Sequence, residues 1–128
     1  MSFVLDASAL LAALFNEPGG DYVFEVIDNA YISTVNLSEV YATLLDGGST
    51  FEQAEEIVRP LPICIRTFGS DHALEAAKLR GLTRRFGLSL GDRACITQAI
   101  MDDLPILTSD RRMAEAKAVL GIDIRMIR

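Results

Sequence analysis

The sequence predicts an α/β fold: a three-layer α/β/α sandwich in which a mainly parallel sheet of about five short strands carries helices on both faces. Three observations lead there. Five short apolar runs that read as strands recur along the chain. Stretches with apolar residues at helical spacing separate each run from the next. No repeat, low-complexity tract or linker interrupts this alternation, so the 128 residues are expected to form one domain spanning 1–128.

Phe3–Leu5 is the first predicted strand, and a helical run from Ala9 to Phe15 follows until Asn16-Glu17-Pro18-Gly19-Gly20 stops it. An amphipathic stretch from Asp21 to Asp28 leads to the strand Tyr31-Ile32-Ser33. Leu37 to Leu45 has apolar residues at 37, 40, 41, 44 and 45, which is helical spacing, and Asp46-Gly47-Gly48 ends it. Thr50 with Gln53 reads as a capping box that opens a helix through Val58. Pro60 and Pro62 stop that helix, and Ile63-Cys64-Ile65-Arg66 is the third strand. Ser70 to Phe86 is predicted as one long amphipathic helix, and Leu90 to Met101 as another. Pro105 precedes the strand Ile106-Leu107-Thr108. Arg111 to Leu120 is predicted helical with Gly121 as its cap, and Ile124-Arg125-Met126-Ile127 is the last strand.

Composition removes several classes of function. Half the residues are hydrophobic and 23% are charged, a globular balance. The longest apolar run, Ala9 to Phe15, is far too short to span a bilayer. The N-terminus lacks the basic region and small-residue cleavage site of a signal peptide, so a cytoplasmic location is expected. Cys64 and Cys95 have no metal-ligand spacing and lie in apolar segments, which predicts two buried thiols and no disulfide. His72 is the only histidine and reads as a surface or capping residue. Acid–base or metal chemistry must therefore come from carboxylates.

In parallel α/β sheets ligands bind beyond the carboxyl ends of the strands, where the strand order reverses. Four acids stand near such places. Asp6 follows the first strand in "VLDASAL", and Asp110 follows the fourth in "PILTSD". Glu39 lies in the first turn after the second strand, and Asp92 in the first turn of the helix opening "LSLGDRACI". Singly, each reads first as a cap: Glu39 stands three residues after Asn36, Asp92 three after Ser89, and Asp6 and Asp110 are placed as N-caps. As a set they are embedded among apolar or small residues, which surface caps do not require. Converging carboxylates repel unless a cation holds them, and Mg²⁺ or Mn²⁺ favours such oxygen ligands. Two such ions about 4 Å apart suit phosphodiester displacement.

A formal charge of −6 argues against a phosphate-rich partner. Two divalent ions would cancel the four acids and leave about −2. Arg93, Arg111 and Arg112 adjoin two of the acids, where they either steer a phosphate backbone toward the metals or remain solvated helix residues. Arg84 and Arg85 read as complements to a helix dipole.

The stretches "VLDASALLAALFNEPG", "STVNLSEVYATL", "LSLGDRACITQA" and "LPILTSDRR" together resemble a PIN-domain ribonuclease, specifically a toxin of the VapC type. They occur in that family's order, and the resemblance covers essentially the whole chain. It implies an acidic, metal-holding catalytic pocket of Asp6, Glu39, Asp92 and Asp110, with Ser8, and more weakly Ser109, as supporting hydroxyl residues. It further implies Mg²⁺- or Mn²⁺-dependent endonucleolytic cleavage of structured RNA, a homodimer, and a small antitoxin partner that places a basic side chain in the pocket. Apolar helix faces around Leu10–Phe15 and Val35–Leu45 are candidate antitoxin surfaces. Sequence does not separate metal ligand from general base among the four acids, Asp92 being one candidate for the latter.

Two phosphoryl-transfer readings fit less well. A haloacid-dehalogenase-like phosphatase needs a second Asp where Ser8 stands, and a receiver-like domain needs paired acids after the first strand and a late lysine. The alternative from another class is a non-catalytic partner-binding module, whose acidic pocket holds a structural ion or an antitoxin's basic residue.

Overall fold

The structure, a computed structural model, describes all residues, Met1–Arg128. Five strands form one sheet, β1 (Phe3–Leu5), β2 (Ala30–Ser33), β3 (Cys64–Arg66), β4 (Ile106–Thr108) and β5 (Ile124–Met126), in the order β3-β2-β1-β4-β5. Every neighbouring pair is parallel, so the expected mainly parallel sheet is parallel throughout. The helices are α1 (Ala7–Leu14), α2 (Gly20–Val26), α3 (Thr34–Asp46), α4 (Phe51–Val58), α5 (Ser70–Lys78), α6 (Arg80–Thr83), α7 (Leu90–Asp102), α8 (Arg111–Glu115) and α9 (Lys117–Leu120). None is long and apolar enough to cross a membrane.

Alternation along the strands divides the core in two. Phe3 and Leu5 join Leu10, Val23, Val40, Leu44 and Val58 under α1–α4, whereas Val4 joins Cys95, Ile96, Ile106 and Met113 under α7 and α8. Helix α7 is buried without a break from Ala94 to Ala99. A helix covered on nearly all sides needs no polar stripe, which is why its apolar pattern is weak. Gly20 lets α2 approach α1: a Cβ there would collide with the Ala12 carbonyl group, its carbon 2.7 Å away.

The strand-to-helix junctions decide where functional side chains go. Asp6 alone separates β1 from α1, and Ser33, the last residue of β2, caps α3, its hydroxyl accepting from Val35 N at 3.2 Å. Helix α3 thus begins at Thr34, earlier than its apolar spacing from Leu37 suggests. This removes Asn36 as the N-cap partner of Glu39, because Asn36 already lies inside the helix. The capping box of Thr50 and Gln53 is present as expected, and His72 Nδ1 accepts from Gly69 N at 3.4 Å at the start of α5.

Four further expectations are corrected. The segment from Ser70 to Phe86 is divided into α5, α6 and a 3-10 turn at Arg84–Phe86. Gly81 weakens helix propagation there, and the Thr83 hydroxyl donates back to Leu79 O at 2.8 Å. Arg85 consequently lies over the Phe86 ring, 4.9 Å from its centroid, rather than at the end of a long helix. The stretch Arg111–Leu120 likewise divides at Ala116, although Gly121 ends it in the left-handed conformation expected (φ 65°). Asp21–Asp28 is helical only as Gly20–Val26, with Ile27–Asn29 a 3-10 turn. Cys64 is exposed, because β3 is an edge strand whose three residues all face solvent; Cys95 is buried as expected.

Candidate active site

The sheet order reverses around β1. The chain moves from β1 outward through β2 to β3, then returns to lay β4 on the other side of β1. Asp6 sits at this switch point. Leu5 is level with both Ile32 and Leu107, so the next residues, Asp6, Ser33 and Thr108, meet at one edge.

Asp6 is 4% exposed and fully engaged by donors. Its Oδ1 accepts from Ser8 Oγ at 2.7 Å and from Ala9 N at 2.9 Å, and its Oδ2 accepts from Thr108 Oγ1 at 2.5 Å. Each hydroxyl has a single proton and spends it on Asp6. The 3.2 Å approach of Ser8 Oγ to Thr108 Oγ1 is therefore a contact between two acceptors. Their lone pairs receive backbone N–H groups, Ser109 N to Ser8 Oγ at 3.0 Å and Asp110 N to Thr108 Oγ1 at 2.9 Å. Two chains of hydrogen bonds thus run from the turn after β4 into one carboxylate, each bond polarising the next.

No cation pairs with Asp6. Burial pushes its carboxyl up to about 6, opposed by the donors Ser8, Thr108 and Ala9 N, and the Asp92 charge adds to the rise. Asp92 is half-buried and closes a capping box with Ser89: its Oδ2 accepts from Ser89 N at 2.8 Å, and its own N donates to Ser89 Oγ at 3.2 Å. Glu39 reaches across from α3 to α7. Its Oε1 accepts from Asn36 Nδ2 at 2.8 Å, and its carboxylate lies over the Cα of Gly91. Burial pushes the Cys95 thiol up, and the charges of Asp6, Asp92 and Glu39 push it further.

Asp110 stands at the rim. It caps α8 by accepting from Arg112 N at 2.9 Å, and the Arg112 guanidinium grips it at 3.1 Å and 3.4 Å. Arg112 also donates to Gly87 O at 3.2 Å, and the negative charges of Asp110 and Asp92 both raise its already high pKa.

The capping geometry expected for Asp6, Asp92 and Asp110 is therefore present in each case, together with convergence at one sheet edge. No three acidic, histidine or cysteine side chains are gathered closely enough to hold an ion as they stand. The donor chemistry nonetheless fits a hard divalent cation: Asp6, Glu39 and Asp92 offer only oxygens, and none of the three is in an ion pair. Like charges without a counter-ion hold apart, and each finds N–H or O–H donors instead.

Of the three arginines, only Arg112 is bonded to one of the four acids, Asp110. Arg93 turns away and donates to Ala76 O at 3.1 Å, at the end of α5, so it is not directed at a phosphate. Arg111 is exposed with no hydrogen-bonded partner. Ser109 contributes its backbone N–H, whereas the hydroxyl on Asp6 is that of Thr108, which sequence reasoning missed. Only the pairing register of β1 with β4 brings Thr108 beside Asp6, and nothing in the local sequence announces that register.

Fold and site define an α/β domain with a buried carboxylate at its topological switch point. The PIN domain family profile matches residues 3–119, and the chain belongs to that family. Its members are generally nucleases. No curated protein matches the sequence. Among solved structures the chain resembles DNA-bound VapBC from Salmonella typhimurium at TM-score 0.78 and 18% identity, covering 100% of this chain and 99% of that one. It also resembles a toxin–antitoxin complex from Klebsiella pneumoniae (TM-score 0.76, 16% identity, 99% and 98% covered). VapBC2 from Rickettsia felis, bound to a DNA fragment from its promoter, gives TM-score 0.75 at 16% identity, with 98% of each chain covered.

Proposed function

We propose that this chain is a divalent-metal-dependent endoribonuclease and the toxin of a VapBC-type pair, acting as a single PIN domain. The observation that carries this reading is the buried, donor-bound Asp6 at the switch point of the sheet, with Asp110 tied to it through Thr108 and with Glu39 and Asp92, like Asp6, in no ion pair. Asp6, Glu39, Asp92 and Asp110 would hold Mg²⁺ or Mn²⁺, one ion or two. The bound cation supplies Lewis-acid activation of water and neutralises charge on the scissile phosphate.

The protein's own contribution is positional. Ser8 and Thr108 hold the Asp6 carboxylate in one orientation, with both oxygens aimed by fixed donors. Asp92, half-buried and held only by Ser89 at its capping box, is the acid best placed to release a donor and accept a proton. Arg112 is the remaining basic candidate for an RNA phosphate, once Asp110 is engaged elsewhere.

The structural neighbours solved as VapBC or toxin–antitoxin complexes support an antitoxin partner for this chain. A groove of about 400 Å³, mostly apolar (Leu37, Tyr41, Leu61 and Ile63 among its lining) but bordered by the Glu55–Arg59 ion pair, offers that partner a surface. Exposed Leu74, Ile100 and Met101 provide a separate apolar patch for a homodimer. The cytoplasm, where RNA and such a partner are available, is the corresponding location.

The deciding experiment is incubation of a small-RNA pool with purified protein in Mg²⁺, Mn²⁺ or chelator, beside Asp6→Asn. Discrete metal-dependent products that vanish in the variant are expected. Cleavage unchanged in Asp6→Asn would sink the catalytic assignment, and cation binding without cleavage would favour the partner-binding module.

A further inference from the structure

We propose that Asn36 and Gly91 are positioning residues that together seat Glu39, a role that rests on the reading of the pocket as cation-binding. Glu39 and Asn36 lie three residues apart on α3, while Gly91 is on α7, so the carboxylate's place is set by one bond within α3 and one close approach between the two helices. Asn36 is 1% exposed, and its Nδ2 spends one hydrogen on Glu39 Oε1 at 2.8 Å and the other on the Gly91 carbonyl at 2.9 Å. These two acceptors determine how the amide lies. Turned over, it would set its own oxygen against a carboxylate and a carbonyl. Asn36 Oδ1 is left buried with no protein donor, a cost accepted for the sake of the two bonds on the other side.

Gly91 supplies the second half. A Cβ at this position would fall on the Glu39 carboxylate, against Oε2 and at 2.6 Å from Cδ and 2.7 Å from Oε1. The backbone does not ask for glycine here, because Gly91 lies in the first turn of α7 and is not among the positive-φ glycines. In such a helical position alanine is favoured over glycine by about 0.5–1 kcal/mol. The missing side chain is instead the space that Glu39 occupies, beside the positive end of the α7 dipole. Glu39 is thus held from one side by a hydrogen bond and admitted on the other by an absent methyl group.

The colliding group is the free end of a flexible side chain, which makes the proposal separable from folding. Gly91→Ala is expected to keep or raise the melting temperature in chelator while weakening Mn²⁺ binding at least tenfold, read by the free-ion Mn²⁺ resonance signal. In a Glu39→Ala background the same substitution should change Mn²⁺ affinity no further, since its effect passes through Glu39. Asn36→Ala, with glycine retained, should also lose Mn²⁺ affinity, and again not in the Glu39→Ala background. Wild-type Mn²⁺ affinity in Gly91→Ala, an undiminished effect without Glu39, or failure of Gly91→Ala to fold would each overturn the proposal. Absence of Mn²⁺ binding by the wild-type chain is a different failure, that of the cation reading itself.

Discussion

Asp6 and Asp110 both follow a parallel strand and cap the helix after it, Asp6 directly beyond β1 and Asp110 two residues beyond the end of the neighbouring β4. Their surroundings differ. Asp6 ends the central strand, is shut away from water, and is held by two hydroxyls and one backbone N–H without a positive charge nearby. Asp110 lies where the chain leaves the sheet, keeps 23% of its side chain exposed, and carries its own arginine. The same strand–acid–helix pattern thus yields a carboxyl pushed up to about 6 at one position and an ordinary surface ion pair at the other. Burial without a counter-ion is what makes an acid costly in the absence of a ligand, and that cost is what a cation can relieve.

Asp6→Asn tests the comparison most severely. RNA cleavage should fall on the order of a thousandfold, about 4 kcal/mol in the barrier. Stability should move the other way. Folded Asp6 binds its proton more tightly than the unfolded chain does, so at neutral pH the ionised group opposes folding. The rise from 3.8 to about 6 corresponds to about 3 kcal/mol at most. Asparagine can cap α1 without that cost, so the variant should melt several degrees higher in chelator at pH 7. By the same linkage, the wild-type contribution from Asp6 grows as pH falls from above 6 toward 3.8 and is lost as pH rises again. A chelator melt that is flat across this window, or a less stable Asp6→Asn, would break the contrast.

Metal should act on the wild-type chain in the direction of the asparagine variant. At a hundredfold excess over its dissociation constant, Mg²⁺ or Mn²⁺ should add about 2.7 kcal/mol, seen as a higher melting temperature. The shift should be much smaller in Asp6→Asn.

Thr108→Val sharpens the comparison with less force. It keeps the side chain's shape while removing the donor to Asp6 Oδ2 and the acceptor of Asp110 N. A loss of about 1–3 kcal/mol in stability is expected, with metal affinity reduced about tenfold to a hundredfold. Retained stability and retained affinity together would mean that Thr108 plays no part in holding Asp6. The smallest effect belongs to Arg112→Gln. Exposed ion pairs hold little stability, so the melting temperature should barely move, while Asp110 is freed and Mn²⁺ binding tightens modestly. Weaker Mn²⁺ binding in that variant would show that Arg112 supports the pocket rather than competing for it.

Sequence by itself determined the layer architecture and the positions of all five strands, and it singled out four acids near strand ends as candidates. Those features are local: apolar runs, helical spacing and acids just beyond strand ends can be read from neighbours along the chain. It also carried the capping roles of Asp6, Asp92 and Asp110, each confirmed by a hydrogen bond within three residues. What escaped it depends on which strands and helices lie side by side. The exposure of Cys64 follows from β3 being an edge, the turn of Arg93 toward Ala76 from α5 packing on α7, and the Thr108 bond to Asp6 from the β1–β4 register. Gly91 meets Asn36 and Glu39 only because α3 and α7 close over the same sheet edge, 55 residues separating Asn36 from the carbonyl it binds. Pairing register and helix contact are set by the summed burial of many side chains, so tertiary structure alone decided which carboxylate would be enclosed and which would stay in water.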